Sequence, residues 1–288
     1  MCGAGGQFPD LCAERQNDHA PRLLCQTGGI TLKIAVIAGT SEATELIAAL
    51  SAEDTVTAFA ATAYGKEILE GQHCTVHVGR LDTEGFRQAL RGMHAVVDAS
   101  HPFAQEVTKT VRQVCTELQL PYFRLGRQKM TYAYDKLVPV DSKEAAAAYL
   151  AGISGNILLT TGGNTLSFYA ENVPEFAVRG WARILDTPDS RRLTEPFQAH
   201  CIYAKPPFSQ ADTEKLLREH QIAVLVSKDS GKRGGVAEKI AAAKTMQIPV
   251  VLITAPEESV HTIAEVAAQL QQYRRNFYGT DLSETHGH

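Results

Sequence analysis

What this chain has little of narrows its role first. No apolar run approaches the roughly 20 residues that a membrane helix needs. The longest candidates, Ile34 to Ala38 and Ile248 to Ile253, are strand-sized. Charge of one sign is not in large excess either, since 28 basic against 32 acidic residues leave a net charge of −4. No global field draws nucleic acid or an anionic membrane surface, so an anionic ligand has to be held by local groups. The six cysteines contain no C-x-x-C pair, and Cys2, Cys12 and Cys25 fall in the first 25 residues. That distribution speaks against a disulfide framework or a zinc site and fits a reducing cytoplasm. A G-x-G-x-x-G turn is also missing after the first strand, where Gly39 stands alone, so a dinucleotide assignment cannot rest on that fingerprint.

Residues 1–31 show no sustained hydrophobic period and read as a disordered leader. Asp10, Glu14 and Asp18 argue against a signal or transit peptide. Residues 275–288 read as a flexible tail.

What is present is alternation. Lys33 to Leu50 combines a short apolar strand, a Gly39-Thr40-Ser41 turn and a helix with apolar positions Leu46, Ile47, Ala49 and Leu50. Thr40 or Ser41 is a natural N-cap, and Glu42 suits the helix dipole. Strands over Val56 to Thr62 and Thr75 to Val78 and helical stretches over Tyr64 to Leu69 and Asp82 to Arg91 continue the pattern. A further strand ends in Asp98-Ala-Ser100, with His101-Pro102 at the expected start of a helix capped by Ser100 or His101. Alternating βα units imply a parallel sheet covered on both faces. Leu120 to Gln128 adds a short strand with Arg124 and Arg127 at its end, a plausible carboxylate clamp. Composition changes near residue 130, so a first lobe over 32–130 and a second over 131–274 are expected.

The second half repeats the device. Ser142 to Leu150 is an alanine-rich helix, and Asn156 to Thr160 a strand whose Thr160-Thr161-Gly162-Gly163 turn offers amides to an anion. Phe176 to Ile184 reads as one strand with Arg179 and Arg183 on one face, flanking Trp181. Cys201 to Ala204 is a strand, and Ser209 caps a helix over Gln210 to His220. The richest turn follows the strand Val224 to Val226. Lys228, Asp229, Ser230, Gly231, Lys232, Arg233, Gly234 and Gly235 crowd charges and glycines where closing a strand needs neither. A last helix near Val260 to Tyr273 completes an α/β chain of two Rossmann-like parallel-sheet lobes facing a central cleft.

Six motifs agree in order with one family. Gly39-Thr-Ser-Glu42, Asp98 to Ala104, Pro121-Tyr-Phe-Arg124, Leu159-Thr-Thr-Gly-Gly163, Pro207-Phe-Ser209, and Lys228-Asp-Ser-Gly231 with Gly234-Gly235 and Glu238-Lys-Ile240 make residues 33–254 resemble the precorrin-6A reductases of corrin-ring (vitamin B12) biosynthesis. The chain departs from that pattern at Ala38, Pro206, Gln128 and Ala255.

The resemblance implies a hydride transfer from NADPH, with NADH as the alternative, to a carbon–carbon double bond of a tetrapyrrole-derived macrocycle. It implies neither a nucleic-acid partner nor a membrane, and leaves oligomeric state unread. Under it, Gly39, Thr40, Ser41, Ser100, Thr161, Gly162 and Gly163 are candidates for the cofactor. Arg124, Arg127, Ser209, Lys228, Ser230, Gly231, Gly234 and Gly235 are candidates for substrate carboxylates, and His101, Asp98, Lys228 and Asp229 for proton delivery. The cofactor and substrate turns are exchangeable at this level. A two-lobed binding or sensor protein for a small anion is the alternative from another class. No metal is expected.

Overall fold

The computed structural model describes residues 31–126, 130–231, 234–256 and 258–279. Two parallel sheets carry the fold. The first comprises β1 (Lys33–Ala38), β2 (Thr55–Ala60), β3 (Thr75–Val78), β4 (Ala95–Ala99) and β5 (Tyr122–Arg124) in the order β3-β2-β1-β4-β5. The second comprises β6 (Leu137–Val140), β7 (Asn156–Thr160), β8 (Gly180–Leu185), β9 (Cys201–Ala204), β10 (Ile222–Lys228) and β11 (Val250–Ile253) in the order β6-β11-β10-β7-β8-β9. Parallel neighbours need a crossover, and helices supply most of them. In the first lobe these are α1 (Ser41–Leu50), α2 (Ala63–Ile68), α3 (Thr83–Ala89) and α4 (Gln105–Glu117).

In the second lobe α5 (Lys143–Ala151), α6 (Leu166–Asn172), α7 (Phe176–Arg179), α8 (Pro188–Leu193), α9 (Gln210–Glu219) and α10 (Val236–Thr245) cover the sheet. Central strands are apolar on both faces because both are covered: Val224, Leu225 and Val226 are all fully buried, with Val224 and Val226 in one core cluster and Leu225 in the other.

The expected boundaries of three segments require correction. Phe176 to Ile184 is not one strand. Phe176–Arg179 is a short helix and the strand begins at Gly180. Arg179 therefore does not share a strand face with Arg183; its guanidinium donates to the carbonyls of Leu150, Ile153, Gly155 and Pro174, tying α5 and the loop after it to α7. The helix after β4 begins at Gln105 behind Ala104, which supplies no side-chain cap, so neither Ser100 nor His101 is the cap.

The last helix, α11 (Ile263–Gly279), departs most from the expected division of the chain. Although it follows the second sheet in sequence, its Val266 and Leu270 are buried in the core of the first, alongside Leu32, Leu46 and Leu50. Each such side chain is worth ~1.5–3 kcal/mol. Arg274 bonds Asp54 and Glu53 in the turn between α1 and β2, and Leu125 forms a parallel bridge with His261. Residues 131–274 thus do not all belong with the second sheet, and the helix continues past 274 into the expected tail. Of the expected leader, 1–31, residues 1–30 lie outside the described residues, as do residues 280–288.

Candidate active-site cleft

Each sheet reverses its direction of growth once. In the first, β1 to β3 extend to one side and β4 and β5 to the other, so the switch lies between β1 and β4; in the second it lies between β7 and β10. In open α/β sheets, loops that diverge beyond the carboxyl ends of such strands leave a crevice. Here both crevices open into the same space. A cavity of about 490 Å³ is lined by Gly39, Thr40 and Ser41 after β1, His101 after β4, Thr160, Thr161 and Gly162 after β7, Lys228, Ser230 and Gly234 after β10, and Lys239 on α10.

The first-lobe wall is built by close backbone approach. A Cβ on Gly39 would lie 3.4 Å from both the Ser100 Cα and the His101 nitrogen, so the first and fourth strand-end turns are within van der Waals reach of each other there. Thr40 is the N-cap of α1: its hydroxyl accepts from the Ala43 N–H and donates to the Ala99 carbonyl, locking the first turn against the fourth strand. The helix N-terminus thereby faces the cavity with its positive end, suited to an anion. His101 Nδ1 accepts from the Phe103 N–H at 3.3 Å, which in the neutral ring leaves the proton on Nε2. Phe103 packs against the second lobe's core, and the Lys228 ammonium lies 5.3 Å from its ring centre, so this turn bridges the lobes.

The second-lobe wall carries the positive charge. Burial, helped by the nearby Lys143 charge, lowers the Lys228 pKa. Burial does the same more strongly to Lys239, to about 8, while its ammonium donates to the Ser227 hydroxyl and the Gly234 carbonyl, both at 3.3 Å. Among the described residues neither lysine is in an ion pair. Gly162 has φ +86° and ψ 163°, a region open essentially to glycine alone, and space beyond it is empty for 4 Å. Thr161 and Thr165 hydroxyls bond across that turn at 2.8 Å.

Several expected site residues have other work. Asp98 is fully buried, and its carboxylate accepts from the Ser100 N–H, the Thr108 and Tyr122 hydroxyls and Arg124. These partners hold it inside the first lobe, and it is absent from the cavity wall. Arg124, 4 % exposed, bonds Asp98, Glu258 and the Ser100 carbonyl, so it is not a carboxylate clamp. Ser100 lies inside this network, bonded to Thr108.

Ser209 forms the capping box of α9 with Asp212 and is absent from the cavity wall. Asp229 accepts from the Tyr132 hydroxyl and the Gly231 N–H and also stands off the wall, as do Gly163 and Gly231. Gly235 lines an adjoining recess instead. Arg127 lies outside the described residues.

Thr160, expected only as part of an anion-binding turn, and Lys239, named only within the family motif, also line the cavity. Lys239 carried a readable signal: it follows Val236 by three positions and precedes Ala243 by four, which places it on the buried stripe of α10, where a lysine is out of place.

Comparison with known proteins bears on this cleft. The family model described as Precorrin-6x reductase CbiJ/CobK matches residues 33–271. A cobalt-precorrin-6A reductase of Priestia megaterium is 33% identical over 237 residues, covering 80% of this chain and 93% of its own. A precorrin-6A reductase of Mycobacterium tuberculosis is 35% identical over 175 residues, covering 60% of this chain and 68% of its own. Among solved structures, "CobK precorrin-6A reductase" superposes with a TM-score of 0.68 at 23% identity, covering 85% of this chain and 97% of that one, a likeness of fold.

Proposed function

The chain belongs to the precorrin-6x reductase family, whose members are reductases of cobalamin biosynthesis, and on that premise we propose that it reduces a carbon–carbon double bond of precorrin-6A, or of its cobalt form, to the dihydro product in the cleft between its lobes. One observation supports the location above others: the switch points of both sheets open into a single cavity that lacks a paired acid for its two lysines among the described residues. A macrocycle bearing carboxylate arms is the kind of ligand such a wall suits.

The reductant we propose is NADPH, with NADH as the alternative to be excluded. The residues present fit a nicotinamide dinucleotide. The N-terminus of α1 at Thr40 and Ser41 and the open turn at Gly162 both offer backbone amides to phosphates. Beyond β2, Ala60-Ala-Thr-Ala63 holds no acid to bind a ribose 2′-hydroxyl, which favours a 2′-phosphate. When bound, the cofactor supplies the hydride, and the protein's own part is to orient, to exclude water and to handle one proton.

That proton completes the reduction at the carbon next to the one that accepts hydride. Of the four groups first considered, Asp98 is enclosed and Asp229 is off the wall, which leaves His101 and Lys228. His101 brings an imidazole to the cavity wall, a side chain type suited to moving a proton near neutral pH. The positive ends of Lys228 and Lys239 hold carboxylate arms in this reading.

Loss of nicotinamide absorbance on mixing the protein with precorrin-6A or cobalt-precorrin-6A and reduced cofactor tests the reading. Substrate-dependent oxidation with NADPH at a higher kcat/KM than with NADH is the expected result; none with either cofactor overturns it. Lys228→Ala is expected to raise the substrate KM about tenfold with an unchanged unfolding midpoint, as loss of one charge-assisted contact would.

A further inference from the structure

The chain passes between the two sheets twice. It leaves β5 at Arg124 to enter β6 at Leu137, and it leaves β11 at Ile253 to return, through residues 254–262, to α11 on the first core. The two passages are clasped to each other. The His261 N–H donates to the Arg124 carbonyl at 2.8 Å, and the Gly126 N–H donates to the His261 carbonyl at 3.1 Å. A Cβ on Gly126 would meet the Val260 Cγ1 at 2.5 Å, so any side chain there would force the passages apart.

Each passage sends one side chain toward a different wall of the cleft. From the second, Glu258 accepts from the Arg124 Nε–H at 2.9 Å, and the same guanidinium donates to the Ser100 carbonyl at 3.0 Å, one residue before His101 on the cavity wall. From the first, the Tyr132 hydroxyl donates to the Asp229 carboxylate at 3.3 Å. The same carboxylate oxygen accepts from the Gly231 N–H, and Asp229 stands between Lys228 and Ser230, both on the cavity wall. Neither Tyr132 nor Glu258 lines the cavity itself.

Anchoring the passages does not require these bonds. Tyr134, two residues after Tyr132, is 8 % exposed and donates to the Ala243 and Ile248 carbonyls, which already fixes the first passage to α10 and to the segment before β11. Arg124 has Asp98 as a counter-charge without help from Glu258. Burial and the neighbouring Asp229 charge raise the Tyr132 pKa, so its hydroxyl keeps its proton and remains the donor.

We propose that Tyr132 and Glu258 are positioning residues of the reduction. Acting through Asp229 and Arg124, they make the separation of the His101 and Lys228 turns depend on the clasped passages. The inference rests on the reductase reading above and deepens it by naming what sets the geometry of that site. Placement matters to such a reaction, since a displacement of ~1 Å can cost about 100-fold in rate. Because both tethers act on one relation between the walls, loss of either relaxes the same geometry, and their effects do not multiply.

Steady-state kinetics of the full-length protein with NADPH and precorrin-6A or its cobalt form, joined to amide hydrogen exchange on the same variants without substrate, tests this. Tyr132→Phe and Glu258→Ala are each expected to lower kcat about tenfold, with both KM values within about twofold because neither side chain lines the cavity. Glu258→Gln keeps an acceptor for the Arg124 Nε–H and is expected to hold kcat within about threefold of the wild type. The double variant Tyr132→Phe/Glu258→Ala is expected to lie within about threefold of the slower single variant. Exchange should quicken at residues 228–231 in Tyr132→Phe and at residues 98–101 in Glu258→Ala, while unfolding midpoints show that every variant is folded. A loss of about 100-fold in the double variant, an equal loss in Glu258→Gln and Glu258→Ala, or unchanged exchange at both turns overturns the positioning role. A wild type that never oxidises NADPH loses the reductase reading and the positioning role with it, whereas an active wild type whose single variants keep their kcat loses only the positioning role.

Discussion

Two arginines sit near the carboxyl ends of strands, one in each lobe, and both are more than nine-tenths buried, yet they are held in opposite ways. Arg124 of the first lobe is enclosed by Asp98, Glu258 and two carbonyls, those of Asp98 and Ser100. Arg183 of the second has a hydroxyl and an aromatic face for company, with another cation nearby. A buried charge whose partners all belong to the chain is part of the framework, whereas one without a fixed counter-charge is poised for a ligand. Residue type and depth of burial are shared; the difference lies in what the neighbouring elements bring.

The largest expected effect comes from breaking the paired side. Arg124→Ala leaves Asp98 buried without its cation and removes the link to Glu258, and urea unfolding is expected to show a loss of ~3–5 kcal/mol. A loss below ~1 kcal/mol would erase the contrast.

The unpaired side should respond in the other direction. Lys239→Met removes a buried charge while keeping much of the side chain's volume, and a gain of ~1–3 kcal/mol at pH 7 is expected. The pH dependence carries a definite sign. Because the folded pKa of Lys239, about 8, lies below the ordinary 10.5, the cost of burying its charge is fully present below about pH 8. That cost fades as pH rises from about 8 to 10.5, since the unfolded chain then binds more protons than the folded one. Wild-type stability should therefore approach that of Lys239→Met across this window, and denaturant midpoints measured from pH 7 to pH 10.5 check it.

The smallest effect on stability is expected at the other member of that pair. Arg183→Met gives up the stacking on Phe208 and the Thr213 bond but also relieves desolvation, so its unfolding free energy should lie within ~1 kcal/mol of the wild type. A loss as large as that of Arg124→Ala would make Arg183 framework as well.

Reading the sequence located turns better than it located partners. The turns at Gly39 to Ser41, Thr160 to Gly162 and Lys228 to Ser230 lie where strands were expected to end, and they meet at one cavity. Periodicity and glycine placement are local properties, so they are visible in a window of a few residues. Asp98 and Arg124 were equally visible as polar residues at a strand end, but they are 26 positions apart, and register places them side by side on β4 and β5. That pairing turns two candidate site residues into one structural bridge. Arg179 was misplaced for a related reason: a four-residue helix joined to a strand has the same apolar composition as a longer strand, and the carbonyls that decide its role come from α5 and the loop after it.

By itself the sequence determined the alternation of strand and helix, the parallel class of both sheets and the motifs of the family, because each is written in residues close together. Tertiary structure alone decided that α11 returns to the first lobe, that Asp98 and Arg124 neutralise each other, and that Arg183 and Lys239 share a recess. The physical reason is that the cost of a buried charge depends on which groups surround it, and those groups arrive from distant parts of the chain only when the sheets close over them.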